Sequence, residues 1–337
     1  MKTIVCTKPE QLESVLTEAP VRKQGEALLK VRYVGVCGTD YHAYRGRQPY
    51  FEYPRILGHE IAAEVAEIDQ NEYGIKAGDM VTVIPYLFNP DSIASRRGKP
   101  NACNELQVIG CHVDGAMREY ISVPVAHLKK AEGLTLEQTV IIEPMSIGLH
   151  GVNRAGVKAG EWVLVLGAGP IGLAVMKFAK LAGAKVMALD INQDRLEFCR
   201  KWAEVDHIVN ASEDVFQRLE SLTGGDLPTS VIDATGNAQS MMNAFRYAAH
   251  GGNVVYVSLV QADITFHDPD FHKKELTLLG SRAATAEEFD QVIESLRQNK
   301  IDANSFITHQ AEFDQAIDAF KHWLDPSSGV IKAIIKM

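Results

Sequence analysis

The first ~145 residues set short runs of alternating or β-branched apolar positions between glycines and prolines, as at 27–33, 61–68, 80–84 and 120–123. Turns punctuate these runs and no helical period separates them, so they predict a β-rich domain built as a partly open barrel. From Val152 the texture changes. Residues 162–166 form the continuous apolar run of a buried strand, 170–182 carry a helical period, 185–189 form a second strand and 193–202 a second helix. Shorter strands are expected at 207–209, 230–232, 254–258 and 276–279, with helical segments between most of them. Six strands in βα alternation predict a doubly wound parallel sheet, so the fold class is α/β with a separate β-rich domain. Two amphipathic helices, 286–298 and 313–323, precede a last strand at 333–336. Residues 86–103 show no period and read as a loop.

The run Gly167-Ala168-Gly169-Pro170-Ile171-Gly172 sits between the first of these parallel strands and its helix. A glycine triplet alone is weak evidence, but here the strand–turn–helix context is complete. The first glycine permits the turn, the second lets a pyrophosphate approach the backbone, and the third lets helix pack on strand. The helix start from Pro170 and Ile171 offers free N–H groups to phosphate. Asp190 ends the second strand 18 residues past Gly172, where a ribose-binding acid is expected. A carboxylate there accepts from the ribose 2′-hydroxyl and repels a 2′-phosphate, which favours NAD over NADP. Arg195 lies close by and is a candidate to cover the adenine.

Net charge narrows the partners. The chain of 337 residues carries a formal charge of -9, which argues against nucleic acid or an anionic membrane surface. No apolar stretch reaches the length of a membrane span, and the N-terminus lacks the pattern of a signal peptide. Five scattered cysteines are no disulfide framework, so a cytoplasmic location is expected.

Cys37, in Gly35-Val36-Cys37-Gly38-Thr39-Asp40, is followed 22 residues later by His59 in Gly58-His59-Glu60, and far downstream by Glu143 in Ile142-Glu143-Pro144. A thiolate, an imidazole and one or two carboxylates make a donor set for a zinc that keeps a position open. Glycines beside Cys37 and His59 let the backbone bend, and Asp40 is a candidate to orient a ligand imidazole. Glu60 follows His59 as ligand or anchor; Glu143 follows an apolar run, where a carboxylate needs a metal or a cation. Cys6, Cys111 and Cys199 have no such surroundings and read as packing residues.

Together the stretches Cys-Gly-Thr-Asp, Gly-His-Glu, Glu-Pro and the glycine loop, in that order, resemble the zinc-dependent medium-chain dehydrogenase/reductase family over essentially the whole chain. The resemblance implies a GroES-like catalytic domain, 1–146 completed by 286–337, interrupted by a Rossmann NAD-binding domain at 147–285. It implies one catalytic zinc on Cys37, His59 and a carboxylate from Glu60 or Glu143. It also implies hydride transfer from an alcohol to NAD, and a proton relay through Thr39, a ribose hydroxyl and His42. A homodimer or homotetramer is implied in the same way.

Glutamate at both 60 and 143 is similar to the polyol, threonine and sugar-acid branch of the family. Residues 53–60, 108–115, 232–237 and 271–282 most resemble its L-galactonate oxidoreductases. The substrate implied is a sugar acid, with polyols or L-threonine as alternatives, and Arg45 or Arg47 is a candidate partner for its carboxylate. Many family members hold a second, structural zinc on four cysteines. The corresponding positions here are Asn89, Ser92, Ser95 and Cys103, so that site should be absent and Cys103 a leftover, exposed thiol. A non-catalytic nucleotide-binding protein of this fold would show loss of a zinc ligand or of the glycine loop, and neither is lost.

Overall fold

The computed structural model describes residues 1–49 and 51–337, and the chain divides into two compact units. One comprises Met1–Glu143 with Thr285–Met337, the other Pro144–Ala284.

The first unit is built on a seven-stranded sheet whose central strand, Glu26–Val36, pairs antiparallel with Glu60–Glu67, Tyr120–Pro124 and Lys332–Lys336. Alternation along Glu26–Val36 sends Ala27, Leu29, Val31 and Val34 into the core, where they meet Ile61, Val81, Ile121 and Ile335. The returning segment supplies Lys332–Lys336 and the helix Ala316–Trp323. Phe320 on that helix is fully buried and lies 5.0 Å from the ring of Tyr41 and 5.4 Å from that of Tyr44. Both tyrosines belong to the short helix Gly38–Tyr44, so the returning segment anchors the helix that follows Cys37.

A hairpin of Lys2–Lys8 with Gln11–Leu16, and a strand at Ile307–Glu312 beside Lys332–Lys336, went unforeseen. The region 86–103 is more ordered than its lack of period suggested. Tyr86–Leu87 pairs with Gln107–Val108, and single helical turns form at Ile93–Arg96 and Pro100–Ala102. Elements this short leave no periodicity to read.

The second unit is a six-stranded, wholly parallel sheet. Its strand order runs His207–Asn210, Lys185–Asp190, Trp162–Leu166, Ser230–Asp233, Asn253–Tyr256, Thr277–Gly280. The chain therefore reverses direction across the sheet between Trp162–Leu166 and Ser230–Asp233, where ligands bind in folds of this kind. Leu164, Met187, Val209, Val231 and Val254 form its core. The helix Gln193–Phe198 runs on as one π-helical stretch over Cys199–Ala203. Among the described residues no helix is long and apolar enough to cross a membrane.

Phe320→Ala should destabilise the first unit by about 3–5 kcal/mol, the usual cost of emptying a buried aromatic site. Urea unfolding of variant and parent, followed by near-ultraviolet circular dichroism, measures it; a change below ~1 kcal/mol would deny Phe320 its anchoring role.

Candidate active site

Cys37 directly follows the central strand and caps the helix Gly38–Tyr44, half-buried and in extended backbone conformation. Asp40, one turn into that helix, is almost wholly buried. Its Oδ2 accepts from the Cys37 N–H at 2.8 Å and its Oδ1 from the Gly58 N–H at 3.2 Å. One carboxylate thus ties together the backbone just before His59 and the backbone of Cys37, which lie far apart in sequence. This corrects the expected role of Asp40. Its oxygens go to main-chain donors, and His59 Nδ1 is buried with no hydrogen-bond partner. Burial raises the Asp40 pKa and the neighbouring Glu60 adds to this; His59 and the two N–H donors pull it down.

Gly58-His59 leads into the strand Glu60–Glu67, and Glu60 stands opposite Gly35 in the ladder with the central strand. That pairing needs glycine. A Cβ on Gly35 would lie 1.9 Å from Glu60 Oε2, so the carboxylate occupies the space of the missing side chain. Donor atoms of Cys37, His59 and Glu60 all lie within 4.8 Å of one another, with His59 and Glu60 buried. Burial alone would lower the His59 pKa, but the Cys37 sulfur, Asp40 and Glu143 hold it well above the ordinary imidazole value. Donors packed this closely, with His59 and Glu60 buried and Glu60 Oε2 lacking any protein partner, are what a metal ion satisfies.

Two residues missing from the sequence reading complete the wall. Lys332 Nζ, buried, is 2.6 Å from Glu60 Oε1 and donates to the Val36 carbonyl at 3.2 Å. Burial lowers its pKa, but Glu60, Cys37 and Glu143 reverse the sign and raise it. The Tyr86 hydroxyl donates to Glu143 Oε1 in a short hydrogen bond. Glu143, in the first turn of Ile142–Ala155, is buried too. Burial and Glu60 raise its pKa, while His59, Tyr86 and Lys332 oppose them. Neither residue has a local signature: Lys332 lies 272 residues from its partner and Tyr86 57 from its own.

Thr39 and His42 lie three apart on the helix Gly38–Tyr44 and so neighbour each other on one face, Thr39 half-buried and His42 exposed. Desolvation, with the charges of Arg47 and Arg45, lowers the His42 pKa. Arg45 and Arg47 are exposed, and the Arg45 guanidinium donates to the Leu324 carbonyl.

In the parallel unit, Gly167 turns with φ of 97° and Gly169 caps the helix Pro170–Leu181. A Cβ on Gly172 would stand 1.8 Å from the Gly167 carbonyl, whereas one on Gly169 would meet nothing within 4 Å. The third glycine is thus required by packing, and the second faces open space, as a backbone offered to a pyrophosphate must. Asp190 Oδ2 accepts from the Ala168 N–H at 2.7 Å and Oδ1 from the Asn192 N–H at 2.8 Å. Each oxygen keeps a lone pair for a further donor. Arg195 is half-buried, and its N–H donates to the Asn192 side chain.

The alcohol dehydrogenase GroES-like domain matches residues 23–133 and the zinc-binding dehydrogenase domain residues 170–298. L-galactonate-5-dehydrogenase of Escherichia coli is 40% identical over 335 residues, 99% of this chain and 98% of that protein. This chain belongs to the zinc-binding dehydrogenase family. The 2-dehydro-3-deoxy-L-galactonate 5-dehydrogenase of Pseudoalteromonas atlantica is 31% identical over 314 residues, 93% of this chain and 92% of that protein. The crystal structure of an alcohol dehydrogenase (rspB) from E. coli, complexed with NADH, superposes with a TM-score of 0.92 at 30% identity, covering 100% of this chain and 99% of the other.

This zinc-binding dehydrogenase fills the lobe at 89–103 with hydrogen bonds among the four positions singled out there. Ser95 Oγ donates to the Asn89 carbonyl at 2.7 Å, Ser92 Oγ bonds Ser95 Oγ at 2.8 Å, and Cys103 Sγ approaches the Asn89 carbonyl at 3.9 Å. Cys103 is completely buried, contrary to the expectation of an exposed thiol, because it packs under this network. Cys6, Cys111 and Cys199 are likewise buried, and burial pushes the thiols of Cys6 and Cys199 up to about 12.

Lys332→Met should leave the buried Glu60 carboxylate without its cation and lower stability by about 3–5 kcal/mol. Adding Glu60→Gln should recover most of that loss. Chemical denaturation of the two single variants and the double variant reads the coupling directly, and additive effects would show that the pair is not a unit.

Proposed function

We propose that this dehydrogenase oxidises a secondary hydroxyl of a sugar acid of the L-galactonate kind, with NAD as hydride acceptor and one zinc per chain. The observation that carries the zinc reading is the close set of Cys37, His59 and Glu60, the last two buried and Glu60 Oε2 without a protein partner. Cys37, His59 and a carboxylate from Glu60 or Glu143 would hold the ion, and Asp40 would fix the two backbone segments that carry them. Zinc there would supply Lewis acidity to a substrate oxygen and NAD the hydride acceptor. Gly167, Gly169, Pro170, Ile171 and Gly172 would receive the pyrophosphate, and Asp190 would accept from the ribose hydroxyls. Arg195 would cover the adenine. Asn89, Ser92 and Ser95 are poor zinc ligands, which supports one ion per chain.

The proton from the substrate hydroxyl must leave, and Thr39 with His42 one turn on would carry it towards solvent. The sugar-acid reading is supported by likeness to two L-galactonate-type enzymes. Arg45 and Arg47, both exposed cations near His42, are candidates for the substrate carboxylate. An assembly of two or four copies fits the open edge strand Thr277–Gly280, where Leu278 is 41% exposed. Five free cysteines fit a reducing cytoplasm.

Steady-state kinetics over aldonates, polyols and L-threonine with both cofactors test the reading. The expected result is the highest kcat/KM for an L-galactonate-type acid, and for NAD over NADP. Faster turnover of polyols or L-threonine would overturn the substrate, and equal use of NADP would overturn the role of Asp190. Elemental analysis should find one zinc per chain; two would refute the empty lobe.

The pH profile carries its own sign. A lowered His42 pKa keeps the imidazole neutral, and able to accept a proton, to a lower pH than a free histidine allows. Arg47→Gln removes a repelling charge, so the acid limb of kcat/KM should move to higher pH whatever happens to its height. An unmoved limb would take His42 out of the relay.

A further inference from the structure

The two buried glutamates of the site are held in different ways. Glu60 meets a cation: Lys332 lies 2.6 Å from its Oε1. Glu143 has no salt-bridging cation within reach among the described residues, and Oε1 accepts instead from the neutral hydroxyl of Tyr86. That hydroxyl has little freedom. Tyr86 is 5% exposed, its strand Tyr86–Leu87 is paired with Gln107–Val108, and its ring meets Phe289 edge-on at 6.4 Å. A phenol donates a single hydrogen bond, and with its ring packed it fixes the point in space where that bond must end.

A neutral donor also does something a lysine cannot: it directs a carboxylate without cancelling its charge. Glu60 is held by the ammonium of Lys332, Glu143 by a hydroxyl fixed in space. We propose that Tyr86 is a positioning residue of the zinc site, pinning one oxygen of Glu143 so that the other is free to face the cluster of Cys37, His59 and Glu60. The inference rests on the zinc reading above. Partners of this kind, one bond removed from the metal, typically change metal affinity by about 10–100-fold.

Zinc affinity, measured by competition with a chromophoric chelator on the full chain, tests this separately from activity. Tyr86→Phe should bind zinc about 10–100-fold more weakly and shift the d–d bands of the cobalt-substituted protein. Glu143→Gln should also bind more weakly, and adding Tyr86→Phe to it should weaken binding no further, because the hydroxyl acts only through Glu143. Tyr33→Phe, which removes a hydroxyl 3.2 Å from Glu137 in the same unit, is the control and should bind zinc as the parent does. Parent-like affinity and unshifted bands in Tyr86→Phe, beside a Cys37→Ser variant that has lost zinc, would overturn the inference while leaving the zinc reading intact. Additivity of Tyr86→Phe with Glu143→Gln would overturn it as well. Zinc retained at full strength by Cys37→Ser would instead overturn the zinc reading itself. Should Tyr86→Phe not fold, parent-like zinc affinity in Glu143→Gln overturns the inference on its own.

Discussion

A carboxylate taken out of water must meet hydrogen-bond donors or a cation, and the first unit of this protein gathers three such groups around one thiol. Each is met differently. Asp40 takes two main-chain N–H groups, Glu60 takes the ammonium of Lys332, and Glu143 takes the hydroxyl of Tyr86. Much of the surrounding architecture serves these requirements. The helix after Cys37 brings Asp40 beneath Gly58, the returning strand brings Lys332 against Glu60, and the short ladder at the base of the lobe brings Tyr86 to Glu143. Crowding negative charge in a buried place is costly, and a divalent cation would offset that cost.

Shape enforces the same arrangement. Gly35 and Glu60 are ladder partners, and the space a side chain would take on Gly35 is filled by the Glu60 carboxylate. The glycine therefore helps shape the cluster of Cys37, His59 and Glu60 although it offers no ligand atom. Gly172 plays the parallel role in the other unit, where its bare Cα lets the helix close on the Gly167 carbonyl. In both places the absence of a methyl group, not the presence of a functional group, decides whether the site can form.

How much of this is visible in sequence depends on how local the physics is. The glycine loop and Asp190 are legible because strand, turn and helix follow one another within thirty or so residues and each glycine has its own steric reason. Cys37, His59 and the two glutamates are legible as chemistry, from residue type and flanking glycines. Their partners are not. Lys332 stands just before the short apolar run read as a strand at 333–336, and Tyr86 lies in a stretch too short for any period. Asp40 was noticed, but its choice of main-chain donors over the imidazole follows from the approach of Gly58, which only the folded sheet brings about. The terminal hairpin and the lobe were missed for the related reason that their order comes from pairing and capping, not from amphipathic repeats.

The placement of Lys332 has a consequence for biosynthesis. The ribosome makes residues 1–143 first, then the whole of the parallel unit, and only afterwards the strand that carries this lysine. Domains tend to fold as they emerge. The parallel unit is contiguous and can do so, but the first unit must wait with its central strand short of a neighbour and Glu60 short of its counter-charge. A ribosome-bound chain therefore has cysteine, histidine and glutamate already synthesised but no finished cavity. Glu60 gains its counter-charge only once the returning segment is made.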